Sequence, residues 1–211
     1  MIVARRMKRN PVFVDEGDSM KKAMDLLKEK EIRHLPVLKE GKLVGILSER
    51  DIKQASPSQA TALEIREIYY LLDKIKVKQI MTRRPYTITS TTTIEAAALI
   101  LREKKIGCLP VVDNGKLVGI LTETDIIDSF IEAMGVSGPG YRVELALPNK
   151  PGMLFEVLKL VKDFDANIVS VATLPGDEPG KIVNILRIET RNYKMLKAAI
   201  KKSGFDLISA D

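Results

Sequence analysis

Apolar and polar positions in the first part of the chain follow a regular order of strand-like and helix-like patterns. A short strand is predicted at residues 12–14. An amphipathic helix is predicted after Ser19, because the next apolar residues are three or four positions apart. These residues are Met20, Ala23, Met24 and Leu27. The runs "HLPVL" and "KLVGIL" then flank a Gly-containing turn and predict a buried β-hairpin, and a last helix is predicted after Ser48.

The same order returns 74 residues later. "GKLVGIL" occupies residues 41–47 and again 115–121, and fourteen of the twenty-one positions of 32–52 are identical in 106–126 without a gap. The second copy has a predicted strand at 86–89, a helix after Thr93, and the turn "DNGK", in which Asn-Gly is a strong hairpin signal. A single register over this length indicates a duplicated β-α-β-β-α unit.

Two segments of different character divide the chain. Between the copies, "SPSQATALEIREIYYLLDKIK" has one apolar helical face and a capping box at Thr61 and Glu64, which predicts a linking helix at 61–76. After the second copy, "GVSGPGY" predicts a linker at 136–140. We therefore predict a first motif at 1–76, a second motif at 77–135, and a separate domain at 141–211.

The order of predicted elements is different in the remaining 71 residues, 141–211. "YRVELAL" alternates as a strand, a helix is predicted at 153–164, and "NIVSVATL" and "KIVNILRIET" read as two further strands. "NYKMLKAAIKKS" predicts a second helix and "FDLIS" a last strand. The order β-α-β-β-α-β is that of a ferredoxin-like sandwich, so the whole chain is predicted to mix α/β and α+β architecture.

Composition and charge narrow the classes of function. No apolar run is long enough to span a membrane, "MIVARRMKRN" lacks a signal-peptide core, and a single cysteine excludes an internal disulfide framework, so a cytoplasmic location is expected. The net charge is +6, but the 34 basic residues are mixed with 28 acidic ones. The one compact basic patch is Arg5, Arg6, Lys8 and Arg9, and no nucleic-acid-binding motif accompanies it.

Each predicted hairpin is followed by the same two polar groups. Ser48 and Asp51 follow the first hairpin, and Thr122 and Asp125 follow the second at the same spacing. A hydroxyl at a helix start lies beside free backbone N–H groups that suit a phosphate, and an aspartate one turn later can accept hydrogen bonds from a ribose diol. The alternative is purely structural, with the hydroxyl as an N-cap and the carboxylate as a first-turn partner. Repetition beside two apolar hairpins favours ligand binding.

These units resemble a tandem pair of CBS motifs, which form a pseudo-two-fold Bateman module. The resemblance is carried by "LPV…GKLVGILSERD" and "LPV…GKLVGILTETD" and covers about residues 1–135. It implies two clefts that bind adenosyl compounds: AMP, ADP or ATP, and less often S-adenosylmethionine or NAD. It also implies that Asp51 and Asp125 bind ribose, and that Ser48 and Thr122 bind phosphate.

The same resemblance implies further cleft residues. The segments that start at Pro11–Val12 and Pro85–Tyr86 would face the adenine, and the residues before each LPV run would line the clefts. The latter are Arg33 and His34 in the first copy and Gly107 and Cys108 in the second. Because Arg50 is replaced by Thr124 in the second copy, and Arg33 and His34 are also replaced there, the two clefts are expected to differ in affinity or in phosphate number.

Residues 141–211 resemble an ACT domain, a sensor of amino acids and similar metabolites, on the stretch "LALPNKPGMLFEVLKLVKDFDANI". The resemblance implies a ligand site at the strand–helix loop and beside it, formed by Asn149, Gly152, Met153, Leu154, Asn167 and Ile168. Asn149 stands where this family frequently has Asp. The CBS–CBS–ACT order as a whole is similar to the acetoin-utilisation AcuB family, and a homodimer through either kind of domain is expected.

No catalytic arrangement is visible in the sequence. His34 is the only histidine, Cys108 occupies its equivalent position in the other copy, and neither a Ser-His-Asp set nor metal-ligand spacing is present. We therefore expect a non-catalytic regulator of an unidentified partner, with no catalytic cofactor and no metal. Two alternatives stay open: a DNA-associated transcriptional regulator that uses the basic N-terminus, and a dimerisation scaffold with empty clefts.

Overall fold

The computed structural model describes residues 1–56, 70 and 72–210. Most of the predicted linking helix at 61–76, with its Thr61–Glu64 capping box, lies outside the described residues. The chain forms two compact units, Met1–Ile127 and Asp128–Asp211. In the described part of the chain, no helix has both the length and the apolar content needed to cross a membrane.

The first unit contains the two predicted copies. A 3-10 turn at Val3–Arg5 precedes the strands β1 (Lys8–Arg9), β2 (Val14–Asp15), β3 (His34–Lys39), β4 (Lys42–Ser48), β5 (Thr82–Arg83), β6 (Cys108–Asp113) and β7 (Lys116–Thr122). The helices whose full range is described are α1 (Met20–Glu29), α2 (Glu49–Ala55), α3 (Val77–Ile80), α4 (Ile94–Lys104) and α5 (Glu123–Ala133). Helix α5 continues across the boundary at residue 127, whereas the sequence placed the end of the second motif at 135.

Both predicted β-hairpins are present. Strand β3 pairs antiparallel with β4, and β6 pairs antiparallel with β7. The turn residues have positive φ in both copies, 49° and 75° at Glu40 and Gly41, and 50° and 75° at Asn114 and Gly115. This left-handed pair matches the right-handed twist of the strands, which is why Asn-Gly marked the turn.

The two copies exchange their leading segments. Strand β5, which belongs to the second sequence copy, pairs with β4 of the first, and β1 of the first copy pairs with β7 of the second. The strands predicted at 12–14 and 86–89 are wrong in extent. The first copy has a short strand at Val14–Asp15 and the second only a bridge from Ile88 to Val111. Each structural half therefore contains a strand from the other motif.

The exchange also links the cores of the two halves. Met81 lies in the core of the first copy with Leu35 and Leu47, and Met7 lies in the core of the second copy with Leu109 and Leu121. A Cβ atom added at Gly45 would lie 2.5 Å from the Met81 sulfur, and one added at Gly119 would lie 2.6 Å from the Met7 sulfur. The glycine of each "KLVGIL" run thus leaves space for the exchanged methionine.

The second unit has the predicted β-α-β-β-α-β order. Its elements are β8 (Tyr141–Pro148), α6 (Met153–Lys162), β9 (Asn167–Pro175), β10 (Lys181–Glu189), α7 (Tyr193–Lys202) and β11 (Asp206–Ala210). The antiparallel sheet has the strand order β11-β8-β10-β9, which is the ferredoxin-like arrangement. Fully buried residues of both helices and of the two central strands form one core, among them Leu145, Leu186 and Leu196.

Candidate functional site

A cleft of about 750 Å³ lies in the first unit, where the ends of the two hairpins meet the exchanged strand β5. The first copy contributes residues from the ends of its hairpin and from α2, namely Arg33, His34, Ile46, Ser48, Glu49, Arg50, Asp51 and Lys53. The second copy contributes residues 82–86 and 105–108, and Glu123. Both sequence copies supply its walls, and residues 82–86 reach it through the exchange of β5.

Ser48 and Asp51 form a reciprocal capping pair at the start of α2. The Ser48 backbone N–H and hydroxyl both donate to Oδ2 of Asp51, at 2.8 and 2.7 Å, and the Asp51 N–H donates to the Ser48 hydroxyl at 3.2 Å. The structure thus shows Ser48 as the N-cap of α2, with Asp51 as its partner in a capping box. This capping box does not use Oδ1 of Asp51, which makes no hydrogen bond with the described residues and remains an acceptor in the cleft wall.

The second copy repeats this geometry. The Thr122 N–H and hydroxyl donate to Oδ2 of Asp125, both at 2.7 Å, and the Asp125 N–H lies 3.4 Å from the Thr122 hydroxyl. The hydrogen bonds are the same at the ends of both hairpins because both copies have the sequence pattern "LxExD" after "GI". The capping pair is thus a property of the repeated unit.

His34 and Gly107 bring the two copies into contact at the cleft. His34 lies opposite Ser48 in the first hairpin, and Cys108 lies opposite Thr122 in the second. A Cβ atom added at Gly107 would lie 3.1 Å from Nε2 of His34. A side chain at position 107 would therefore make a very close contact with the imidazole ring of His34.

The pKa values of His34 and Cys108 both reflect burial in this region. Burial, and secondly the charge of Arg33, hold the pKa of His34 below its usual value of 6.5, against the opposing effect of Glu123 and Asp51. Burial, and then the charges of Asp51 and Glu123, raise the pKa of the Cys108 thiol to about 12. At neutral pH the imidazole is uncharged and the thiol is protonated, which suits them to line a cleft and not to act as nucleophiles.

The environment of His34 predicts a single imidazole titration curve in NMR, with a midpoint below the usual histidine pKa of 6.5. His34 is the only histidine in the chain, so a single imidazole signal reports it. Arg33→Ala should raise its pKa, because the second-largest cause of the shift is removed. Because the folded state disfavours the charged imidazole, His34 contributes stability above its unfolded-state pKa. This contribution to the free energy of unfolding is lost as the pH falls through the lower folded-state pKa. His34→Gln should therefore make the loss of stability at low pH smaller.

Arg102→Ala, on the exposed side of α4, is the matched control and should leave the titration unchanged. A pKa at or above 6.5 in the folded wild-type protein would contradict the placement of His34 beside Arg33 in a partly dry cleft.

Several sequence-predicted residues meet in this cleft and others do not. Those that line it are Arg33, His34, Ser48, Arg50, Asp51, Pro85, Tyr86, Gly107 and Cys108. Those that are not among its lining residues are Pro11, Val12, Thr122, Thr124 and Asp125. Pro85 and Tyr86 thus accompany the Ser48–Asp51 pair of the other motif, because β5 has been exchanged.

Sequence reasoning missed six charged lining residues: Glu49 and Lys53 of the first copy, and Arg83, Arg84, Lys105 and Glu123 of the second. None of the four from the second copy is marked by a motif that points to the first hairpin. Tyr86 is 54% exposed, and Nζ of Lys104 lies 5.1 Å from the centre of its ring. The ring therefore offers an accessible aromatic face at the edge of the cleft.

A second cavity, of about 700 Å³, lies in the C-terminal unit. It is lined by Leu158, Val161, Lys162, Asp165, Ala166, Asn167, Ile168, Glu189, Thr190 and Arg191. Asn167 and Ile168 of the predicted metabolite site are in this lining, whereas Asn149, Gly152, Met153 and Leu154 are not. Gly152 instead precedes α6 with a φ of 87°, a conformation that glycine adopts without strain.

The duplicated hairpin–helix fold with a shared cleft defines a mixed α/β protein built from a tandem pair of sequence motifs. The CBS domain matches residues 3–58 and 77–132, more than half of the chain, and the chain therefore belongs to the CBS-domain family. Homoserine O-acetyltransferase of Methanococcus vannielii is 32% identical over 130 residues, which are 61% of this chain but only 24% of that enzyme. The chain thus spans about a quarter of this relative.

Three solved structures are similar to this chain over somewhat less than two thirds of its length, with nearly equal TM-scores. One from Vibrio cholerae, described as an acetoin utilization protein (AcuB), has a TM-score of 0.54 at 27% identity and covers 65% of this chain and 95% of its own. CBSX2 in complex with AMP has a TM-score of 0.53 at 31% identity, with 62% and 96% covered. The CBS pair of MJ0100, in complex with 5-methylthioadenosine and S-adenosyl-L-methionine, has a TM-score of 0.52 at 29% identity, with 62% and 99% covered.

Proposed function

We propose that this protein is a non-catalytic regulator that binds an adenine nucleotide, AMP, ADP or ATP, in its CBS clefts. The observation that carries the proposal is the position of the Ser48–Asp51 pair in one cleft with the Pro85–Tyr86 segment of the other motif. Complexes of two similar CBS pairs with AMP and with S-adenosyl-L-methionine support this class of ligand.

The cleft residues match the parts of a nucleotide. Oδ1 of Asp51 is available to accept from a ribose hydroxyl while Oδ2 remains in the capping pair. The half-buried side chains of Ile46 and Ile106 and the ring of Tyr86 offer apolar and aromatic surface to a base. Arginine and lysine side chains in the same lining can bind phosphate oxygens.

Regulation follows if the nucleotide binds two conformations of the pair with different affinity. The cleft is formed by both motifs and by the exchanged strand, so a ligand in it contacts both halves of the first unit at once. Its binding energy can therefore change how the two motifs pack, and the changed surface would be read by a partner protein. A homodimer through the CBS or ACT domains is part of this proposal.

For the C-terminal unit we propose an ACT-type sensor or dimerisation domain, in an AcuB-like chain. The ferredoxin-like strand order and the "PNKPG" loop before α6 support this proposal. An amino acid or similar metabolite would bind near Asn149, Gly152, Met153 and Leu154, or in the cavity that contains Asn167 and Ile168.

The proposed function predicts that adenine nucleotides stabilise the protein against heat. At a nucleotide concentration about 100 times Kd, mass action adds about 2.7 kcal/mol, which corresponds to a rise in Tm of roughly 5–10 °C. Asp51→Ala combined with Asp125→Ala should abolish the rise, because the ribose acceptors are lost. A thermal-shift screen over AMP, ADP, ATP, S-adenosylmethionine, NAD and amino acids measures both effects.

Asp177→Ala, in an exposed turn of the C-terminal unit, is the matched carboxylate control and should keep the full rise. If the double variant is stabilised as much as the wild-type protein, the site assignment is wrong. Strongly salt-dependent DNA binding without any nucleotide effect would instead support the regulator that uses the basic N-terminus.

A further inference from the structure

The cleft that contains Ser48 and Asp51 carries an excess of positive charge. Its cationic lining side chains are Arg33, Arg50, Lys53, Arg83, Arg84 and Lys105. Its anionic ones are Glu49, Asp51 and Glu123, and His34 is held uncharged at neutral pH by its lowered pKa. In the part of the lining that the structure describes, six cations thus face three carboxylates.

Most of these cations are not neutralised by the residues that the structure describes. Lys53 pairs with Glu49 at 2.7 Å, and Arg83 donates to the backbone carbonyl of Lys78 at 3.0 Å. The other four make no ion pair and no side-chain hydrogen bond with the residues that the structure describes: Arg33, Arg50, Arg84 and Lys105. Several unpaired cations around one concave surface attract a multiply charged anion more strongly than a singly charged one.

Arg84 also has an unusual backbone conformation. Its φ is 49°, in the left-handed region that disfavours most side chains other than glycine and asparagine. The related residue of the first copy, 74 positions earlier, is Asn10, with a φ of 47°. Asparagine tolerates this conformation more readily than arginine, so the backbone does not favour the arginine that adds a cation to the cleft here.

Shifting the lining residues by 74 positions gives the residues that would line an equivalent cleft at the second hairpin. The related residues include only three cations, Lys8, Arg9 and Arg33, and four anions, Glu31, Glu49, Glu123 and Asp125. Arg84 corresponds to Asn10, Lys105 to Glu31, and Arg50 to Thr124. The excess of cations is therefore a property of the first cleft and not of the repeated unit.

We propose that the cleft containing Ser48 and Asp51 selects adenosine di- or triphosphate over AMP, and rejects the positively charged S-adenosylmethionine. The inference rests on the proposed nucleotide-binding function and adds the ligand's phosphate number and the residues that set it. Arg84 and Lys105, supplied by the second motif, extend the phosphate-binding surface beyond the Ser48 side of the cleft.

Calorimetric titration of the full chain with ATP, AMP and S-adenosylmethionine, without divalent cations, tests this selectivity. The variant Arg84→Asn with Lys105→Glu places the related first-copy residues at both positions, so the backbone conformations remain compatible. We expect its affinity for ATP to fall at least about tenfold and its affinity for AMP to change less than about threefold. Lys116→Glu, at the far turn of the second hairpin, is the matched charge control and should change neither.

Inorganic tripolyphosphate separates failure of this inference from failure of the proposed function. If AMP and ATP bind equally well and the double variant weakens neither, the selectivity is wrong while nucleotide binding stands. If tripolyphosphate binds in an Arg84- and Lys105-dependent manner but no adenine nucleotide binds, the polyanion site stands and the adenine proposal is wrong. Tight binding of S-adenosylmethionine to the same cleft, displaced by ATP, would overturn the charge argument directly.

Discussion

Valine in place of Gly119 is expected to lower the free energy of unfolding of the first unit by about 2–3 kcal/mol, as overpacking does in a tight core. A Cβ atom at this position would lie 2.6 Å from the Met7 sulfur and 3.1 Å from the backbone oxygen of Lys8. The methionine side chain can move, but the exchanged strand β1 pairs with β7 here and its backbone cannot. Gly45→Val should have a similar effect, because Met81 and the Thr82 oxygen approach it in the same way.

Urea denaturation followed by the His34 imidazole signal measures this loss in the first unit alone, since the chain has no other histidine. Gly17→Val is the matched control, because a Cβ atom there meets nothing within 4 Å and the residue has no positive φ. If Gly17→Val and Gly119→Val destabilise the protein equally, the close approach of the exchanged strand does not explain the repeated glycine.

The repeated glycine also shows what the sequence could and could not predict. Apolar spacing, capping residues and the Asn-Gly turn depend on neighbours a few residues away, so both hairpins and the helices after Ser19 and Thr93 were predicted correctly. The shift of 74 aligned Met7 with Met81 and Gly45 with Gly119. It could not show that each methionine packs against the glycine of the other copy, because that contact depends on tertiary structure.

The candidate site likewise contains some residues that the sequence could predict and others that it could not. Ser48 and Asp51 could be predicted as candidates because their spacing is local and is repeated, and the structure places both in a cleft wall. Arg84 was missed because it reaches this cleft only through the exchange of β5, and Lys105 because it reaches the cleft only where the second copy meets the first. In the C-terminal unit the order of elements was predicted correctly, whereas the cavity around Glu189 and Arg191 combines the ends of α6 and β10 with the start of β9, which no local pattern connects.

Alanine at Leu35 or at Leu109 is expected to destabilise the first unit by about 2–5 kcal/mol, the usual range for truncating a buried leucine. The two leucines are related by the 74-residue shift, and both are fully buried. Each packs in a core that includes one exchanged methionine, so either truncation leaves a cavity that a helix on one side and a paired hairpin on the other cannot close. Chemical denaturation of each single variant measures the loss.

Leu99→Ala, at a leucine that is 49% exposed on α4, is the matched control and should cost less than about 1 kcal/mol.

The two core variants also separate stability from ligand binding. Leu35 precedes Pro36 in the strand that begins at His34, and Leu109 follows Cys108, so each cavity lies directly behind a residue of the cleft wall. If the cleft needs both motifs, either variant should weaken nucleotide binding even where the protein stays folded. Loss of binding in Leu35→Ala but full binding in Leu109→Ala would show that the first motif alone holds the ligand.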